Sequence, residues 1–84
     1  MTNTMKVKSL GNNKTELHIG ESVILVSYQT PVAANIDGKF YRTSKQWSVT
    51  TSRHINQWLN TAQAVERSQT FFDELLTTNT NIQL

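Results

Sequence analysis

The stretch SVILVSYQTPVAANIDGKFYRT, residues 22–43, decides the fold of this chain. Its first part carries consecutive β-favouring apolar residues at 23–26, and this run predicts a central strand over 22–28 with both faces covered. Pro31 breaks that strand, because proline has no backbone N–H to donate to a neighbouring strand. The chain is therefore expected to build a sheet around this segment.

A tight hairpin follows the break. Asp37 and Gly38 separate two short segments, 32–36 and 39–43, and this dipeptide is typical of a two-residue type I′ turn. Because the spacing is short, the segments are expected to pair as a tight antiparallel meander.

Period-two alternation marks two more strands upstream, at 5–10 and 15–19. Gly and Asn residues follow the first of them and Gly20 follows the second, as expected for turns. With the hairpin, these segments give an antiparallel sheet of four to five strands. The predicted fold class is α+β, in which this sheet is followed by two short C-terminal helices.

The two helices are predicted at 52–60 and 69–77. In the first, apolar residues recur at i, i+3 and i+4, and the hydroxyl residues before them are suitable N-caps. Sheet and helices should bury their apolar sides against each other. The N-cap candidates are Thr50, Thr51 and Ser52. The expected core residues are Val23, Leu25, Ile55, Trp58, Phe71 and Leu75.

Length and composition limit the kinds of protein that this chain can be. With 84 residues the chain is expected to be a single domain, 1–84, with an ordered core at 5–77 and a polar C-terminal tail. A chain this short buries a small core, which favours a homo-oligomer. It has no cysteine, so disulfides and thiolate zinc sites are excluded. No apolar run approaches the roughly 20 residues that span a bilayer, so no membrane partner is expected.

The segment 50–54 holds the residues best suited to bind a ligand. Hydroxyls, a guanidinium and an imidazole stand at a predicted helix N-terminus, where free amides and the helix dipole attract anions. The guanidinium of Arg53 can donate two parallel hydrogen bonds to one phosphate group. The ordinary alternative is plain capping, with His54 packed on a strand. The candidate ligand-binding residues are Thr50, Thr51, Ser52, Arg53 and His54.

A second group interleaves aromatic and basic side chains, the combination that stacks nucleic-acid bases on a sheet. Its members are Tyr28, Lys39, Tyr41, Arg42, Lys45 and Trp47, of which Tyr41, Arg42, Lys45 and Trp47 are the candidate contact residues. The alternative, which strand alternation favours, is that the rings fill the core and the cations lie outside. The net charge of +2, from eight Lys and Arg against six acidic residues, gives little further support for a nucleic-acid partner.

No catalytic, metal or cofactor pattern is present in the sequence. His18 and His54 lack the spacing of metal ligands, and there is no nucleophile elbow, phosphate loop or carboxylate pair. We therefore expect that the protein is not an enzyme and that it has no catalytic residues, no metal and no cofactor.

Residues 27–59 carry a Tyr-x-Thr-Pro-Val-Ala core, a glycine turn, an aromatic-x-Thr step and an aromatic-Ser-x-Thr-Thr-x-basic-His-Ile-Asn helix start. The residues of this pattern are Tyr28, Thr30, Pro31, Val32, Ala33, Gly38, Tyr41, Thr43, Trp47, Ser48, Thr50, Thr51, Arg53, His54, Ile55 and Asn56. With this pattern the chain resembles an uncharacterised family of small proteins encoded by bacteriophages, and the resemblance covers most of 5–76. The resemblance implies a phage origin and the cytoplasm of the infected bacterial host as the place of action. It implies no catalytic residues.

The expected function is that of a phage accessory binding protein. It would act on a host factor or sequester a phosphate-bearing ligand such as a signalling nucleotide, in counter-defence or host takeover. The alternative is a small nucleic-acid-binding protein. Salt separates the two classes, because affinity for nucleic acid falls steeply as salt rises.

Overall fold

The computed structural model describes residues 5–11 and 13–80, which form six strands and two helices. The strands are β1 (Met5–Gly11), β2 (Lys14–Ile19), β3 (Ser22–Ser27), β4 (Thr30–Ile36), β5 (Lys39–Thr43) and β6 (Ala64–Arg67). The helices are α1 (Val49–Leu59) and α2 (Gln69–Thr80). The α+β class is confirmed. One more strand is present than was expected, β6, and it lies between the two helices.

All six strands form one sheet in the order β1-β2-β3-β4-β5-β6. The first five are an antiparallel meander in which each strand pairs with its neighbours along the chain. Asp37 and Gly38 both have positive φ, 54° and 86°, as a type I′ hairpin turn requires. β6 instead pairs parallel with β5, and α1 is the crossover between these two strands.

β3 ends at Ser27, before Pro31, as the sequence predicts, but Pro31 itself belongs to the next strand rather than to the break. It lies inside β4 and is paired with Val26. The register shifts beside this pair, and Val32 and Ala33 both pack into one core cluster. Because a bulge interrupts the ladder of hydrogen bonds, it is one of the few sheet positions that accept proline. The turn therefore begins at Tyr28, before the proline.

The two helices lie on opposite faces of the sheet. Leu25 packs with Ile55 of α1, whereas the preceding residue, Ile24, packs with Phe72 of α2. Adjacent residues of a strand point to opposite faces, so β3 is covered on both sides, as predicted. The oligomeric state stays a prediction.

The predicted core is correct in part. Leu25 and Ile55 are buried. The other four expected residues, Val23, Trp58, Phe71 and Leu75, are only partly buried. In α2 it is Phe72, rather than Phe71, that is fully buried. Phe71 packs beside it against Tyr41, with the ring centroids 5.4 Å apart.

Helix α1 begins at Val49 rather than at residue 52. Its N-cap is Ser48, whose Oγ accepts the Thr51 N–H at 3.2 Å. The prediction that Thr50, Thr51 or Ser52 caps the helix is therefore wrong, since all three lie inside it.

The other helix ends are closer to expectation. Asn60 ends α1 as predicted, with a φ of 57° and its N–H donating to the Asn56 carbonyl. Helix α2 starts at Gln69 and continues to Thr80, beyond the predicted end at residue 77. The prediction of a polar C-terminal tail from residue 77 onwards is therefore wrong for residues 77–80, which belong to α2, whereas 81–84 and the tail expected at 1–4 lie outside the described residues. Within the described part of the chain, neither helix is long and apolar enough to cross a membrane.

Candidate functional site

The end of β3 meets the first turns of α1, and this contact gathers hydroxyls, an imidazole and an exposed ring. Ser27 ends β3 and shares the α1 side of the sheet with Leu25. Thr51 and His54 lie about one turn apart on the buried side of α1. We name Ser27, Tyr28, Thr51 and His54 the β3–α1 cluster.

A chain of hydrogen bonds connects the helix cap to the imidazole. Ser48 Oγ donates to Thr51 Oγ1 at 3.4 Å. Thr51 Oγ1 lies 3.1 Å from Ser27 Oγ, which in turn lies 2.9 Å from His54 Nδ1. Because each hydroxyl has a single hydrogen, a continuous chain that starts at Ser48 ends with Ser27 donating to Nδ1. The neutral imidazole then carries its own hydrogen on Nε2.

The imidazole of His54 is buried, but its Nε2 is not fully enclosed. Burial lowers the pKa of its imidazole, and the positive charges of Lys14 and Arg53 lower this pKa further. The ring is therefore neutral at pH 7. Among the described residues Ser27 is its hydrogen-bonding partner, and no buried side-chain nitrogen or oxygen there lacks a partner. Within the described part of the chain Nε2 has no partner of its own and is therefore not fully enclosed, although His54 as a whole is only 5% exposed.

Tyr28 holds an exposed ring beside this imidazole. The ring centroids of Tyr28 and His54 are 6.0 Å apart, and 51% of Tyr28 is exposed. Its φ is 59°, a conformation that is uncommon for a bulky residue and that costs on the order of 1–3 kcal/mol. The Tyr28 N–H donates to the Asn13 carbonyl at 2.7 Å, which holds the turn in place.

Two cations flank the β3–α1 cluster. Lys14 Nζ donates to Gln57 Oε1 at 3.4 Å, and Gln57 lies one helical turn after the exposed Arg53. Lys14 and Arg53 are therefore on the same side of α1. Among the described residues neither forms an ion pair. The acidic residues of α2 cannot neutralise Arg53, because α2 lies on the opposite face of the sheet.

The predicted ligand segment 50–54 is divided by the helix. Thr51 and His54 face the sheet, whereas Thr50 and Arg53 are exposed and Ser52 is half-buried. The Thr51 N–H already has the Ser48 hydroxyl as its acceptor, and the Ser52 N–H donates to the Ser48 carbonyl. The helix amides predicted to hold an anion are thus partly capped, while the Arg53 side chain stays available.

The second predicted group does not form one surface. Tyr41 packs on the α2 side, where Arg67 lies over its ring at 5.5 Å. Arg42 is on the α1 side and donates to Asn56 at 3.3 Å. Lys45 Nζ lies 4.4 Å from the centre of the Trp47 ring, whose Nε1 donates to Gln69 Oε1 at 3.1 Å. The aromatic rings are engaged in tertiary contacts on different sides of the sheet.

A separate polar cluster joins β2 to the end of α1. Glu16 accepts a 2.6 Å hydrogen bond from Trp58 Nε1 and lies 2.9 Å from His18 Nε2. Burial raises the pKa of Glu16, but the bonds from Trp58 and His18, with the charges of His18 and Lys8, outweigh burial and lower that pKa. No group of three His, Cys, Asp or Glu side chains within the described ranges is placed to hold a metal ion.

A serine beside a histidine is also the pair with which hydrolases activate a nucleophile. Ser27, however, is only 1% exposed, so a substrate does not reach its Oγ in this conformation. The bond instead orients the imidazole and fixes which nitrogen carries the hydrogen. Sequence reasoning missed Ser27 and Lys14, although alternation from Leu25 would have placed Ser27 on the same face. It named Tyr28 but grouped its ring with those of Tyr41 and Trp47 rather than with His54.

Comparisons with known proteins place the chain in a family without assigning an activity. A family model described as "Family of unknown function (DUF8033)" matches residues 5–74. No curated protein and no solved structure matches. The matched region includes the whole β3–α1 cluster and both flanking cations.

Proposed function

Because this chain belongs to that family of unknown function, we propose its role from its own residues: it is a binding module that takes a phosphate-bearing ligand at the β3–α1 cluster. One observation carries the proposal. The cations Lys14 and Arg53, which form no ion pair among the described residues, flank a neutral His54 beside the exposed ring of Tyr28.

Each side chain has a distinct task in this proposal. Lys14 and Arg53 supply positive charge, and the guanidinium of Arg53 matches two phosphate oxygens at once. The His54 Nε2–H donates to a third acceptor without needing to be protonated. The Tyr28 ring offers a stacking surface worth about 1–3 kcal/mol for a base. A nucleotide, which has both phosphate and base, therefore fits this surface better than inorganic phosphate does.

The biological setting of the proposal rests on the sequence resemblance alone. It is that of a bacteriophage accessory protein in the host cytoplasm, where it acts on a host factor or withdraws a signalling nucleotide. In this setting binding is enough, and no turnover of the ligand is required.

The second candidate is nucleic-acid binding, and a row of lysines favours it. Lys6 and Lys8 of β1 and Lys14 of β2 all lie on the α1 side of the sheet, as the strand pairing shows. A backbone of repeated phosphates would contact all three. Its affinity would fall steeply between low and physiological salt, whereas that of a mononucleotide would fall much less.

The proposal is tested by calorimetric titration with a panel of nucleoside mono- and triphosphates, and with inorganic phosphate as the comparison. We expect Arg53→Ala to weaken nucleotide binding at least tenfold while the melting temperature stays within 2 °C of wild type, because an exposed side chain contributes little to stability. Lys39→Ala is the matched control, since Lys39 is an exposed cation at the Asp37-Gly38 hairpin. Unchanged binding in Arg53→Ala, or equal loss in the control, would contradict the proposal.

A further inference from the structure

We infer that the free edge of β1 accepts an extended segment of a partner protein in which acidic and apolar residues alternate. This inference concerns a protein partner and is independent of the ligand site at the β3–α1 cluster. It rests on the order of the strands, on the exposure of β1 and on the side-chain pattern that β1 presents.

The sheet of described strands has two edges, β1 and β6. β6 has four residues, whereas β1 has seven, Met5–Gly11. An edge strand presents unpaired backbone N–H and C=O groups along one side, and an added strand satisfies them. β1 is long enough for such a strand, and its residues 6–9 are all exposed.

The two faces of β1 differ in chemistry. Lys6 and Lys8 lie on the α1 side, next to His18 and Glu16 of β2. Neither lysine has an ion-pair partner in the described part of the chain. The carboxylate nearest to Lys8 is already engaged, because Glu16 Oε1 contacts His18 and Oε2 accepts from Trp58. An added strand with carboxylates on this face would supply a counter-charge to Lys6 and a second one to Lys8, beside that of Glu16.

The opposite face of β1 is apolar at its centre. Val7 is 67% exposed and pairs with Leu17, which packs against the α2 core cluster. An apolar residue of an added strand would lie beside Val7 and would continue, away from the core, the row of apolar side chains that Leu17 and Val7 form. The pattern Lys-Val-Lys is thus complementary to a strand that reads acidic-apolar-acidic.

The same charges disfavour a second copy of this chain. If two β1 strands pair antiparallel about Val7, Lys6 of each copy stands opposite Lys8 of the other. Like charges directly opposite each other on a sheet are destabilising. Lysines are a common protection against edge-to-edge association, and here they leave an acidic strand as the favoured occupant.

The test uses the full chain and two capped seven-residue peptides, Glu-Val-Glu-Val-Glu-Val-Glu and its Lys-for-Glu counterpart. We expect the acidic peptide to shift the NMR signals of residues 6–11 and to slow their amide exchange at least tenfold, while the basic peptide does neither. In the double variant Lys6→Glu/Lys8→Glu the preference should reverse, so that the basic peptide binds. Unchanged signals of α1 and α2 in the variant show that it is folded.

Three results would overturn the inference. The acidic peptide could fail to shift β1 at millimolar concentration. It could bind the double variant as well as it binds the wild type, in which case the lysines do not select it. Contacts between the β1 strands of two copies would show that the edge is occupied by this chain itself.

Discussion

The indole Nε1 of Trp58 donates a 2.6 Å hydrogen bond to Oε2 of Glu16, and this bond ties the C-terminal half of α1 to β2. The same indole meets Phe40 of β5 edge to face, with ring centroids 6.0 Å apart. Trp58 is therefore half-buried because one part of it packs in the core while its nitrogen bonds a carboxylate near the surface. Helix α1 is thus joined to two inner strands, β2 and β5, through this one side chain.

Two substitutions separate the packing of Trp58 from its hydrogen bond. Trp58→Phe should lower the free energy of unfolding by about 1–2 kcal/mol, because Glu16 loses a donor to its charged form. Trp58→Ala should lower it by about 3 kcal/mol, because the contact with Phe40 is lost as well. Urea denaturation measures both. If Trp58→Ala unfolds within 0.5 kcal/mol of wild type, the side chain is not a structural link.

His54 should make stability depend on pH in the mildly acidic range. Its pKa in the folded protein is lowered, so below about pH 6.5 the unfolded chain takes up the proton first. The free energy of unfolding should therefore fall as pH drops from about 6.5 towards the folded pKa, and it should be highest above that range. His54→Gln should flatten the curve between pH 7 and pH 5. A wild-type curve that is already flat there would show that the imidazole titrates normally.

Ser27 should determine the tautomer of His54. In ¹⁵N-labelled wild-type protein at pH 7, long-range nitrogen spectra should show hydrogen on Nε2 and a bare Nδ1. Ser27→Ala should cost about 1–3 kcal/mol, because a buried ring nitrogen loses its partner. It should also raise the population of the other tautomer. Ser22→Ala is a suitable control, since Ser22 lies at the other end of β3. Hydrogen on Nδ1 in the wild type would reverse the direction of the hydroxyl chain.

Replacing Tyr28 by asparagine should weaken nucleotide binding without lowering the stability of the fold. Tyr28→Asn puts a residue that tolerates positive φ at a position with a φ of 59°. We expect the free energy of unfolding to stay level or to rise by up to about 1 kcal/mol. Nucleotide affinity should fall about tenfold through the loss of one stacking contact. If Tyr28→Asn instead destabilises the fold by more than 1 kcal/mol, contact with His54 outweighs the backbone strain.

The sequence predicts the meander well because its pairings are local. Strands that are neighbours in the chain are neighbours in the sheet, so alternation and turn residues suffice to find them. β6 cannot be found in this way, because it has only four residues and three of them are exposed. Its pairing with β5 depends on where α1 returns the chain, which is a tertiary effect. The place of Pro31 inside β4 is not predicted for a similar reason, because the bulge that accepts the proline depends on the register with β3.

The site was predictable only in part. Residue type is enough to name Arg53 and His54 as candidates, but the apolar stripe that predicts the buried side of α1 starts only at Ile55. Extending this stripe by one helical turn towards the N-terminus places Thr51 and His54 against the sheet. Lys14 is distant in sequence from α1, and no local pattern links the two. Such a contact depends on the packing of α1 across β2 and β3, which a single sequence does not display.

The position of both helices after the meander in the chain has a consequence for synthesis on the ribosome. The meander emerges first, yet its partners follow later: 37 residues separate the end of β5 at residue 43 from the end of α2 at residue 80. At about 5–20 residues per second, translation of these residues takes about 2–7 s. The nascent sheet shows Leu25 on one surface until α1 is complete at residue 59, and it shows Ile24 on the other surface over the whole interval. Slow codons between β5 and α2 would lengthen this exposure and lower the yield of folded protein, without any change in its final stability.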